Sequence, residues 1–141
     1  MACPYFYPTE RLGSKLWPHP SRLPLGGGFR GLCHARPGEQ FSPDELRLRD
    51  CCNLGYAGPQ CECFPGGAPA DAIRFSLGGD DDGIVTIYYA REKDHLPLEH
   101  GALQFDARRR AMLAPPADLF LRRQAEVYAE SYLLSRPRRP A

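Results

Sequence analysis

Between residues 72 and 89 the apolar and polar positions follow the period of a β-strand. In Ala72-Ile73-Arg74-Phe75-Ser76-Leu77 the apolar Ile73, Phe75 and Leu77 stand two apart, as a half-buried strand requires. Ile84-Val85-Thr86-Ile87-Tyr88-Tyr89 is β-branched or aromatic throughout, which suits the most buried strand of a sheet. Residues 78–83 read as the turn between the two. After a polar stretch containing Pro97, weaker alternation predicts a second hairpin from residues 102–105 and 110–113. From about 117 to 135 the period becomes helical: Phe120, Val127 and Leu134 recur every seven residues, and Leu121, Ala125, Tyr128 and Tyr132 widen the stripe. Pro137 ends it, and Arg136, Arg138 and Arg139 suit a helix C-terminus. Residues 71–141 thus read as a small antiparallel sheet with a C-terminal helix.

Residues 1–70 have no such period. They hold all 6 cysteines, 10 of the 15 prolines and 10 of the 14 glycines. Proline and glycine at that density interrupt helices and ladders, so this half reads as turns and loops with one short helix at about 43–52. There Ser42 caps, Pro43 takes the first helical position and Glu45 completes a capping box. Leu48, Cys51 and Cys52 share one face, Asn53 and Gly55 supply the stop, and the loop to Gln60 returns the chain to Cys61. The apolar residues of this half, Trp17 and Phe29 among them, are too many for a solvated linker and too irregular for an amphipathic element. A bound metal or cluster is the usual device where backbone regularity cannot order a segment. The fold class expected is α+β: an irregular, Cys/Gly/Pro-rich, metal-organised half (1–70) packed on the sheet and helix (71–141) in one compact domain.

The chain has 141 residues, with 18 basic against 17 acidic side chains and a net charge of +1. That balance lacks the footprint of a nucleic-acid binder or a polybasic membrane binder. No apolar run is long enough to span a bilayer, and the N-terminal residues lack the basic and aliphatic regions of an export signal. The expectation is a cytoplasmic chain in a reducing compartment.

That compartment argues against three disulfides among Cys3, Cys33, Cys51, Cys52, Cys61 and Cys63. Plain packing accounts for one or two cysteines, not for six confined to one loop-rich half. A thiolate site follows. Cys3, Cys33, Cys52 and Cys61 come from four separate segments and are the expected ligands. Cys51 projects about 100° from Cys52 on an α-helix, and Cys63 competes with Cys61 for one position, so both are expected to pack. Zinc and iron-sulfur clusters take the same donors. The paired Cys-x2-4-Cys knuckles common in zinc sites are absent, whereas a cubane accepts dispersed ligands sheltered by aromatics and bonded by backbone amides. Tyr5, Phe6, Tyr7, Tyr56 and Phe64, with glycines 26–28, 55 and 58, are suited to that task. The expected cofactor is a [4Fe-4S] cluster serving electron transfer or an accessory role toward a protein partner. A structural zinc in an interaction module is the alternative, and Cys33-His34 keeps a Cys3His form of it open.

Other features read more plainly. Asp80-Asp81-Asp82 lacks the spacing of a calcium loop and suits a solvated turn. Gly26-Gly27-Gly28 is followed by no Lys-Ser/Thr and reads as freedom around a ligand site. His95 and His100 read as surface histidines, and Arg108-Arg109-Arg110 as a solvated face. A thiol enzyme with Cys33 as nucleophile and His19, His34, His95 or His100 as base has no surrounding signature.

Overall fold

The computed structural model describes residues 2–12, 23–36, 38–54, 56 and 61–135. Trp17, His19, Gly55, Gly58, Pro137 and Arg136, Arg138 and Arg139 lie outside those residues. Two antiparallel sheets and a C-terminal helix make the fold α+β. In chain order the elements are β1 (Phe6–Arg11), β2 (Phe29–Cys33), α1 (Glu45–Arg47) running into a π turn (Leu48–Cys52), β3 (Ala72–Asp81), β4 (Ile84–Lys93), β5 (Leu96–Asp106), β6 (Ala111–Leu113) and α2 (Leu119–Ser135).

The first half contains a ladder that residue patterning does not reveal. β1 pairs with β2, Phe6 opposite Cys33 and Arg11 opposite Phe29, with an irregularity between Pro8 and Glu10. The two strands are far apart in sequence, and Pro8 cannot donate to a ladder, so neither composition nor local alternation marks them. The short helix begins later than expected. Asp44, not Ser42, caps it, accepting from the Arg47 N–H at 2.9 Å. After one α turn it widens into the π turn, where the Asn53 N–H reaches the Leu48 carbonyl at 3.2 Å.

β3 to β6 form a meander in chain order. β3 runs through the expected turn to Asp81, and only Asp82 and Gly83, both at positive φ, make the reversal. Gly78 belongs to the strand because the Tyr88 ring lies over it, leaving 2.7 Å for a Cβ. The polar stretch around Pro97 is likewise strand. β4 continues to Lys93, Asp94 and His95 turn at positive φ, and β5 starts at Leu96. Pro97 is tolerated because β6 pairs only with Gln104–Asp106, leaving β5 an edge strand at that point.

Asp118 opens α2 by accepting from the N–H groups of Phe120 and Leu121 at 2.8 and 3.2 Å. The buried face of the helix is Leu121, Gln124, Ala125, Val127, Ala129 and Ser131. Of the expected heptad stripe only Val127 is buried, and Leu134 is 73% exposed. The buried residues centre on a neighbouring face, so the row of Phe120, Val127 and Leu134 runs along its edge and leaves it near the helix end.

One core joins the two halves. Ala2, Phe6, Leu25 and Phe29 pack with Ile73, Val85, Ile87 and Phe105 of the sheet and Leu121 and Ala125 of α2. Ala2 and Ile73 exchange two backbone hydrogen bonds at 2.8 Å, extending the large sheet by one residue of the N-terminal segment. The glycine run is part of this packing. At Gly26, with φ +75°, a Cβ would stand only 2.6 Å from the Ser131 Cβ of α2, so close approach to a helix replaces the expected freedom around a ligand.

Candidate metal centre

The residues before β1 bring Cys3 beside the π turn: the Cys3 N–H donates to the Cys52 carbonyl at 3.3 Å. A tight turn follows, with the Phe6 N–H returning to the Cys3 carbonyl at 3.1 Å. Inside it the Tyr5 backbone acts on the Cys3 thiol. Cys33 ends β2 opposite Phe6 and exchanges backbone bonds with Phe41 at 2.8 and 3.3 Å. The Ala35 backbone acts on its thiol. In each case the backbone two residues downstream lowers the thiol pKa, against the stronger effect of burial.

Cys51 and Cys52 are both buried on the π turn. Its wider winding puts fewer degrees between neighbours than an α turn, so the separation expected of them does not send one outward. The turn is anchored by Asn53, which is wholly buried. Its side chain donates to the Leu48 and Phe29 carbonyls and accepts from the Phe29 N–H. Cys61 opens a turn closed by the Phe64 N–H at 3.1 Å, and the Phe64 ring meets Tyr5 edge-on at 5.6 Å.

All six cysteines are free thiols, five buried and Cys61 half-buried. Cys3, Cys33, Cys52 and Cys61 share one neighbourhood: each of the six pairs drawn from them is close enough for a charge on one sulfur to raise the pKa of another. Burial and then this mutual repulsion push Cys3 up to about 12 and Cys52 further still. Cys33 also rises, chiefly through burial. The two cysteines expected to pack lie at the same place. Cys51 is raised to about 11 by burial and then by Cys61. Cys63 acts on Cys33 and on the Arg47 guanidinium.

These shifts carry a chemical message. A nucleophilic thiol needs its pKa lowered, and Cys33 moves the other way. Buried thiolates crowded together become favourable only when a strong positive charge joins them, which is what a metal group supplies. Among the described residues, no three Cys, His, Asp or Glu side chains are drawn tightly enough to hold a single ion. His34 packs its ring against Tyr7 and Phe120, centroids 6.4 and 5.0 Å away.

The aromatic shelter is narrower than the sequence suggests. Tyr5 and Phe64 flank the thiols, whereas Phe6 sits in the core and Tyr7 beside His34. Tyr56 is turned to the large sheet, its hydroxyl donating to Glu92 at 2.6 Å and its ring stacked on His95 at 4.1 Å. His95 is therefore engaged with the cysteine half. Of the aspartates, Asp80 accepts from Tyr132 and Asp82 pairs with Arg108. Two residues of consequence are not marked by the sequence as parts of the site. Asn53 reads there only as a helix stop, and the available signal for Gln124 is a polar residue standing on the apolar stripe of α2, where a buried side chain must find hydrogen bonds.

No described helix is long and apolar enough to cross a membrane. Compared with known protein families, curated proteins and solved structures, the chain matches none.

Proposed function

We propose that the chain carries one [4Fe-4S] cluster on Cys3, Cys33, Cys52 and Cys61 and passes single electrons to or from a protein partner, or serves such a partner as a cluster-dependent accessory. The observation that supports this reading is that four thiols from four segments lie near enough for a charge on each to be felt by the others. The backbone of Tyr5 and Ala35, which lowers the pKa of Cys3 and Cys33, would favour their thiolates in such a site. A bound cluster would supply a one-electron couple and the positive charge that the crowded thiolates need. The chain's own part is to hold four deprotonated sulfurs and screen them with Tyr5 and Phe64. Free thiols throughout suit a reducing, cytoplasmic setting.

Structural zinc is the competing reading, and the lack of paired Cys-x2-4-Cys knuckles among the six cysteines weighs against it. Electron paramagnetic resonance of the anaerobically purified, dithionite-reduced protein separates the two. A signal that a reversible one-electron titration abolishes supports the cluster, and a colourless, silent protein contradicts it.

A further inference from the structure

Gln124 is wholly enclosed on the buried face of α2, far in sequence from the cysteines. Its Nε2 donates to two carbonyls, those of Cys3 and Phe6, at 2.8 Å each. They bracket the turn in which the Phe6 N–H returns to the Cys3 carbonyl. The bridge from Ala2 to Ile73 fixes the chain before this turn and the β1–β2 ladder fixes it afterwards. Gln124 grips the turn itself. Its Oε1 is buried without a partner, a cost that an apolar residue on the same stripe would avoid. A polar residue held there at that cost returns something an apolar one cannot: two donors placed on the backbone that presents Cys3.

We infer that Gln124 is a positioning residue of the cysteine site: by holding the Cys3 and Phe6 carbonyls it fixes the turn from which Cys3 presents its sulfur. Through that turn it sets how firmly, and at what potential, Cys3 holds its metal group. The inference rests on the cluster reading above. Partners of this kind, one step removed from the ligand, typically change metal affinity by 10–100-fold when lost.

The test compares Gln124→Glu, which keeps the shape but loses the N–H donors, and Gln124→Leu with Ser131→Ala on the same helix. Ser131 bonds the Val127 carbonyl and Arg11, away from the cysteines. In the cluster-loaded protein, both Gln124 variants are expected to release iron to a chelator about 10–100-fold faster and to show a more negative midpoint potential. Ser131→Ala is expected to keep the wild-type values. Unchanged release and potential in the Gln124 variants, or an equal change in Ser131→Ala, overturns the inference. Wild type without iron overturns the cluster reading instead, and the inference then keeps its own measure in the metal-free protein. There, exchange of the Phe6 amide hydrogen should speed at least about tenfold in Gln124→Glu and not in Ser131→Ala. Equal exchange rates overturn it.

Discussion

Asn53 and Phe29 exchange two hydrogen bonds: the Phe29 N–H donates to Asn53 Oδ1 at 3.1 Å, and Asn53 Nδ2 donates to the Phe29 carbonyl at 3.0 Å. The same Nδ2 donates to the Leu48 carbonyl at 2.8 Å. One buried side chain thus closes the π turn that carries Cys51 and Cys52 and pins it to the strand that ends in Cys33. Asn53→Ala leaves the Phe29 N–H and two carbonyls buried and deprived of these bonds. Unfolding in urea should give a loss of about 2–4 kcal/mol at an unchanged m-value. Iron retention should fall with it, since two of the four cysteine segments lose their mutual reference.

The four-ligand assignment predicts an uneven cysteine series. Replacement of Cys3, Cys33, Cys52 or Cys61 by Ser should abolish stoichiometric iron, whereas Cys51→Ser and Cys63→Ser should retain it. Iron analysis of the six variants purified side by side checks this. Full iron in Cys33→Ser would refute the ligand set.

Stability of the metal-free protein should depend on alkaline pH. Burial raises Cys3 from an ordinary value of 9.0 to about 12 and Cys51 to about 11. A group raised in the folded state stabilises it below its unfolded value and ceases to do so as pH climbs through the folded one. The urea midpoint should therefore be level to about pH 8.5 and fall between about pH 9 and 12. With the metal group bound, the ligand sulfurs are already deprotonated, so their part of the decline should vanish.

The fold is legible in the sequence wherever a single local force dominates. Ile73, Phe75 and Leu77 alternate because β3 has one face toward the core, and Asp118 to Ser135 reads as helix because α2 buries a stripe. The β4–β5 hairpin is hidden because Asp94 and His95 make its turn without a glycine, and because Pro97 is harmless on an edge. Gly78 resembles a turn residue because the Tyr88 ring that it accommodates belongs to the next strand. The β1–β2 ladder is a pairing across a long connection, which no local pattern encodes. At the site, the cysteines' confinement to one half points to convergence. The π turn and the grips of Asn53 and Gln124 arise from tertiary packing.

Gly26 offers a test of the packing between the halves. At φ +75° and with Ser131 2.6 Å from its Cβ position, it has no room for a side chain. Gly26→Ala should cost about 1–3 kcal/mol, read as a lower thermal midpoint. Adding Ser131→Gly should recover the steric part and leave the backbone strain.

The most direct measurement of the central claim is the iron, acid-labile sulfide and zinc content per chain of untagged protein purified without oxygen. The account predicts a brown protein with about four irons and about four sulfides per chain and negligible zinc. A colourless protein with about one zinc, or with no stoichiometric metal, would contradict it.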